Sequence, residues 1–133
     1  MTTPRSGDQT EVIDGKIYAI GGYSDVHLVG PGCERSIDSL SSAEVYDPST
    51  DKWTTLASLS TARCWLQTEV INGKIYAIGG LNNKVGESKW NPISSAEVYD
   101  LSTNTWTTLV SMSTARATYW WNAGTFYGII CRS

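Results

Sequence analysis

A chain of 133 residues has the length of one domain, and its net charge of −3, from 10 Lys and Arg against 13 Asp and Glu, gives no basic field to draw nucleic acid or an anionic membrane surface. Six Trp and seven Tyr against one Phe, with charged residues at only 17 %, favour half-buried β surface over helix. No apolar run approaches the roughly 18 residues of a spanning helix and no charged leader precedes one, and Cys33, Cys64 and Cys131 are odd in number and non-equivalently placed, so a soluble, cytoplasmic chain in a reducing compartment is expected.

The chain is internally repeated. QTEVIDGKIYAIGG at residues 9–22 recurs as QTEVINGKIYAIGG at 67–80, with Asp14 replaced by Asn72. SSAEVYD follows at 41–47 and 94–100, WTTL at 53–56 and 106–109, and LSTAR at 59–63 is answered by MSTAR at 112–116. The order is the same each time, which is the signature of a repeat architecture. Upstream of the first hairpin, TTPRSGDQTEVI at 2–13 falls over STARCWLQTEVI at 60–71 without a gap. The hairpins are 58 residues apart, but the SSAEVYD and WTTL copies are only 53 apart. The five extra residues lie in one segment, 23–40 in the first unit against 81–93 in the second, and these two segments share no pattern. Conserved strands beside one divergent segment suggest a scaffold carrying variable surface.

Taken in chain order, each unit reads as a four-stranded antiparallel meander. Asp14-Gly15 and Asn72-Gly73 are pairs suited to type I′ turns, in which both central residues take positive φ. The KIYAI strand after the turn is apolar at nearly every position, which implies covering on both faces. The glycine pairs Gly21-Gly22 and Gly79-Gly80 end that strand, where absent Cβ atoms allow a sharp bend or the approach of another backbone. In SSAEVYD, Ala43 and Val45 share one face and Tyr46 the other, as do Ala96, Val98 and Tyr99. Asp47 and Asp100 can then hold Asx-turns, Asp51 and Asn104 tolerate a left-handed backbone, and Trp53 and Trp106 open the fourth strand.

The glycine pair, the Tyr of AEVYD and the Trp of WTTL, in this order and recurring twice, resemble the Kelch motif. The resemblance covers nearly the whole chain. It implies an all-β fold of Kelch-type β-propeller blades, with blade 1 at residues 2–58, blade 2 at 59–111 and the first two strands of a partial third blade at 112–133. The third unit keeps STAR, Gly124 and Tyr127, but Ile130-Cys131 stands where a glycine pair would be. It is read either as a diverged or truncated end of a longer gene product or as a terminus shaped to cap or join. Propellers close with four to eight blades, and each sheet buries its faces on its neighbours. An incomplete propeller is therefore expected to be completed by missing blades of a longer chain or by homo-oligomerisation.

In a meander, the segments between second and third strands and the junctions between blades emerge on the same face. That face collects Arg5, Arg63 and Arg116 at equivalent places, together with Tyr23, His27, Trp65 and Trp90. Arginines there would suit bidentate recognition of carboxylates, and in Kelch adaptors that capture acidic peptides arginines at similar places carry binding. The plainer alternative is that each arginine pairs with a nearby Asp or Glu or with carbonyls at strand ends. The aromatics are candidate interface anchors, with scaffold packing as their alternative.

A protein or peptide ligand, acidic if the arginines carry recognition, is the partner class this implies. Nucleic acid and membrane are not expected. His27 is the only histidine, so no multi-histidine metal site can be built within one chain. Some Kelch propellers are oxidases with copper held by Tyr and His, but that ligand set is missing here, and no enzyme activity, cofactor, metal or catalytic residue is expected. The other functional readings are a self-assembling structural repeat and an oligomeric propeller that binds carbohydrate or acts as an enzyme.

Overall fold

The computed structural model describes residues 1–29, 31–32, 34–87 and 89–117, and the side chains of all of these except 25–29 and 34–35. The QTEVI and KIYAI segments form strands β1 (Gln9–Ile13) and β2 (Lys16–Ile20), and the turn between them is left-handed at Asp14, φ 51°. The carboxyl-side copy behaves alike, with β7 (Gln67–Ile71) and β8 (Lys74–Ile78) joined through Asn72, φ 51°. The AEVYD strands are β5 (Ala43–Asp47) and β9 (Ala96–Asp100), and the fourth strands are β6 (Lys52–Thr55) and β10 (Thr105–Thr108). These pair into two antiparallel four-stranded sheets, β1-β2-β5-β6 and β7-β8-β9-β10.

The tight connections follow from their side chains. Asp47 Oδ1 accepts from the Ser49 amide at 2.9 Å and its hydroxyl at 2.6 Å, and Asp100 holds Ser102 at the same two distances. Asp51 and Asn104 then turn the chain back with φ of 54° and 52°. These are the Asx-turns and left-handed positions that short polar side chains favour.

Residues 23–40, read from the sequence as an unpatterned loop, form a further hairpin of β3 (Tyr23–Val29) and β4 (Glu34–Ser39), with a register shift between Tyr23 and Val26. Its strand signal, in which Val26 is paired with Ile37, has no counterpart in residues 81–93. Comparison between repeats therefore conceals it. The hairpin stands apart from the four-stranded sheets as its own two-stranded sheet.

The two main sheets pack face to face, and β1 lies against β7. Between them, Tyr18, Ile20 and Ala43 of the first sheet meet Ile75, Ala77 and Tyr99 of the second, with Leu59 and Leu66 from the junction. Burying one such branched side chain contributes about 2 kcal/mol. The identical KIYAI strands show what the packing decides. In β2 Tyr18 and Ile20 are buried and Ile17 half-buried, whereas in β8 Ile75 is buried and Tyr76 and Ile78 half-buried. Alternate residues of a strand face opposite sides, so each copy buries the face that meets the other sheet. The expectation of strands apolar on both sides holds in composition; on the side away from the other sheet Ala19 is buried in β2, whereas Tyr76 and Ile78 stay half-buried in β8.

Candidate functional site

The arginines of the junctions are drawn into the scaffold. Arg63 Nη1 donates to the Gly79 and Ser95 carbonyls at 3.0 and 2.8 Å, and Nη2 donates to Ser95 Oγ at 3.0 Å and Glu97 Oε2 at 2.9 Å. Arg5 repeats this on the first sheet, with Gly21, Ser42 and Glu44 as partners. Both side chains are 0 % exposed. Neither guanidinium is available to a carboxylate ligand, and the plainer reading of pairing with a Glu and with strand-end carbonyls describes both. The two terminal nitrogens of the rigid fork meet this mixed set of carbonyl, hydroxyl and carboxylate acceptors, while the buried Nε of each arginine has no partner among the described residues. Arg116 is exposed, and its amide donates to the Ile93 carbonyl at 3.2 Å. The three arginines do not form a ring of free charges.

The same junction residues grip the sheet behind them with their backbone. The Arg63 carbonyl accepts from the Gly22 amide at 2.8 Å, and the Arg116 carbonyl accepts from Gly80 at 2.6 Å. A Cβ on Gly21 or Gly79 would stand 2.3 or 2.4 Å from those carbonyl oxygens, so the glycine pair exists to admit another backbone. Arg63 thereby joins one sheet through its main chain and the next through its side chain.

The glutamates that complete the clamp, Glu44 and Glu97, are 1 % exposed. Burial alone would raise the Glu44 pKa, but hydrogen bonds from Thr2 and Arg5, with the Arg5 charge, outweigh it and hold the carboxyl at about 2. Thr2 donates to Glu44 Oε1 through both its amide and its hydroxyl, and Glu97 likewise accepts from the Ser60 and Thr61 amides. Sequence reasoning passed over these glutamates. Their only sequence signal is a charged residue inside an otherwise apolar AEV run.

Three of the sequence candidates do come together. Tyr23 follows the first glycine pair, Trp65 sits in the junction and Trp90 in the 81–93 segment, yet their rings meet. Tyr23 and Trp65 have centroids 5.2 Å apart at 57°, and Trp65 and Trp90 are 5.7 Å apart at 73°, edge to face. Each is half-buried, and they pack on a small core of Ile37, Cys64 and Leu81. Trp65 has φ 48°, a left-handed backbone unusual for a bulky residue. Its counterpart in the first unit is Gly7, φ 63°, and a Cβ there would lie 3.0 Å from Tyr23 and 3.1 Å from the Trp65 indole nitrogen. The small residue in one unit makes room for the large one in the next.

What holds Trp90 in place is Asn83, 1 % exposed. Its side-chain amide donates to the Lys89 carbonyl at 2.7 Å and accepts from the Asn91 amide at 3.0 Å, bracketing the tryptophan. Its backbone is tied across the sheet boundary: the Ser39 amide donates to the Asn83 carbonyl at 2.8 Å, and the Asn83 amide donates to Ser39 Oγ at 2.9 Å. Ser36 adds a bond from the Gly86 amide at 2.8 Å. The hairpin of one unit and the long segment of the next are thus a single platform. A shallow cavity of about 340 Å³ beside it is lined by Gly86, Glu87, Lys89 and Asn91.

His27 lies in β3 opposite Ser36, and its side chain is outside the described residues. Cys64 is buried, its thiol pushed up to about 11 by burial, so it packs rather than reacts. Cys33 and Cys131 are outside the described residues, as is the altered third hairpin. Among the described residues no three His, Cys, Asp or Glu side chains converge as a metal site, and no helix is long and apolar enough to cross a membrane.

Comparison with known proteins agrees with this architecture. The Kelch motif model matches residues 4–60 and 66–113. An F-box/kelch-repeat protein of Arabidopsis thaliana is 33% identical over 114 residues, covering 86% of this chain and 21% of that protein. The influenza virus NS1A-binding protein homolog of Mus musculus is 38% identical over 82 residues, 62% of this chain and 11% of the relative. The chain thus spans about a fifth or less of these relatives' own length. Among solved structures, a fungal alcohol oxidase in complex with copper superposes with a TM-score of 0.66 at 22% identity, covering 84% of this chain and 23% of that one. At that identity the likeness is one of fold.

Proposed function

The chain belongs to the family of Kelch-repeat proteins, its sheets being blades of a β-propeller, and from that premise we propose that it is a protein-binding module, not an enzyme, whose loop face holds a peptide or protein segment against Tyr23, Trp65 and Trp90. One observation carries this reading: three half-buried aromatic rings, contributed by three separate segments and two blades, converge on the face where the variable segments emerge. Large amphipathic rings offer contact area at low entropic cost and dominate interface energetics. Rigid support from Asn83 and Ser39 lowers the cost of ordering that surface on binding. The name of the mouse relative, an NS1A-binding protein, is that of a protein that binds a protein, and it supports the same class of function here.

The partner chemistry differs from that drawn from the arginines. With Arg5 and Arg63 enclosed, the surface favours an apolar or aromatic anchor on the partner over an acidic one. Quantitative affinity capture with the wild-type chain and with Trp90→Ala and Tyr23→Ala tests this. Loss of specific partners from both variants, with unchanged far-ultraviolet circular dichroism, is expected. Retention of every wild-type partner by both variants overturns it.

A further inference from the structure

The interface between the two blades has unlike halves, and both halves recur on the outside. The first blade contributes Ile13, Tyr18 and Ile20, and the second contributes Val70, Ile75 and Tyr99. By the repeat, the first half reappears on the outward face of the second blade as Ile71, Tyr76 and Ile78. The second half reappears on the outward face of the first as Val12, Ile17 and Tyr46. Val12 and Ile71 are 66% and 54% exposed.

The polar links of the interface are duplicated too. Inside, Thr68 Oγ1 donates to Glu11 at 2.8 Å, the Ala57 amide donates to Asn104 Oδ1 at 3.0 Å, and Trp106 Nε1 donates to the Ala57 carbonyl at 2.9 Å. Outside, Thr10 and Glu69 are the counterparts of Thr68 and Glu11, and both are exposed. Asp51 and Trp53 stand for Asn104 and Trp106. Asp51 accepts from Tyr46 at 2.6 Å as Asn104 accepts from Tyr99 at 2.8 Å, so this latch is already set. The counterpart of Ala57 is Val110, which is 94 % exposed.

We propose that the outward face of the first blade is a docking surface for a second copy of this chain, which presents the outward face of its second blade. The two faces are the two halves of an interface the chain already makes, so they are complementary in shape, apolar content and polar register. The contact is head to tail and heterologous. It places Thr10 against Glu69 of the second copy, and the Asp51 and Trp53 latch on the Val110 backbone.

Sedimentation equilibrium of the 133-residue chain over a wide concentration range tests this. Wild type self-associates. Thr10→Glu sets like charges opposite each other and weakens association about tenfold or more. Adding Glu69→Lys to the same chain restores it, which a folding defect would not do. Val110→Pro removes an amide hydrogen with no backbone partner among the described residues and weakens association without altering circular dichroism. A monomer at every concentration, with residues 118–133 or another segment covering these faces, overturns the proposal. So does association that neither Thr10→Glu nor Val110→Pro changes.

Discussion

Arg63 and Glu97 meet at 2.9 Å with side chains that are 0 % and 1 % exposed, and the carbonyl of the same arginine accepts from Gly22 on the neighbouring blade. One residue therefore spans the blade boundary with a buried charge on one side and a main-chain bond on the other. Removing it leaves the buried Glu97 with the Ser60 and Thr61 amides but without its counter-charge, the situation in which breaking a buried pair costs about 3–5 kcal/mol. Arg63→Ala should lose stability of that order in urea unfolding. Arg63→Lys keeps the charge but cannot serve the Gly79 and Ser95 carbonyls with the same fork, and should fall between the two.

The glycine pair admits a stricter test. Gly21→Ala would drive a Cβ to 2.3 Å from the Arg63 carbonyl oxygen, whereas Gly73→Ala meets nothing within 4 Å. Both positions have positive φ, so both carry a conformational penalty of about 1–2 kcal/mol. Only Gly21→Ala adds the steric displacement of a blade junction. Thermal unfolding should show Gly21→Ala markedly less stable than Gly73→Ala.

Acid titrates the clamp. The Glu44 carboxyl has an ordinary pKa of 4.5 when unfolded and about 2 when folded. A depressed folded value means its stabilisation is complete above pH 4.5 and is lost as pH falls towards 2. The full contribution is on the order of 3 kcal/mol. Unfolding free energy followed from neutral pH into that window should fall less steeply in Glu44→Gln, although the variant starts from a lower stability.

Equivalent residues should respond unequally to truncation. Ile20 is fully buried between the blades, while Ile78, the same residue of the repeat, is half-buried. Ile20→Ala should cost about 2–5 kcal/mol, as core truncations do, and Ile78→Ala distinctly less in dilute solution. Equal costs would show that the outer face of the second blade is as well covered as the inner one.

The blades were legible in the sequence because their signals are local and stated twice. Asp14-Gly15 and Asn72-Gly73 announce a turn, the glycine pairs end a strand, and the Asp47 and Asp51 connection follows from side chains bonding their own backbone. The β3–β4 hairpin was not legible, since it occurs in one unit and repetition could not mark it. For Arg5 and Arg63 the sequence left two readings open, ligand recognition and pairing with a Glu and strand-end carbonyls, and could not choose between them. The choice depends on Glu44 and Glu97, which lie 39 and 34 residues away in sequence. Tyr23, Trp65 and Trp90 were named singly, and only the fold shows that they touch. Asn83 went unnoticed because a lone asparagine in an irregular segment carries no pattern.

The bonds between Ser39 and Asn83 have one more consequence. They join the variable segment of one repeat to that of the next through main-chain and hydroxyl contacts. A change of length or course in either segment must be accommodated by its neighbour. Diversity on this rim is therefore inherited in adjacent pairs, and grafting a new specificity onto such a scaffold requires transplanting two consecutive segments together with the serine and asparagine that stitch them.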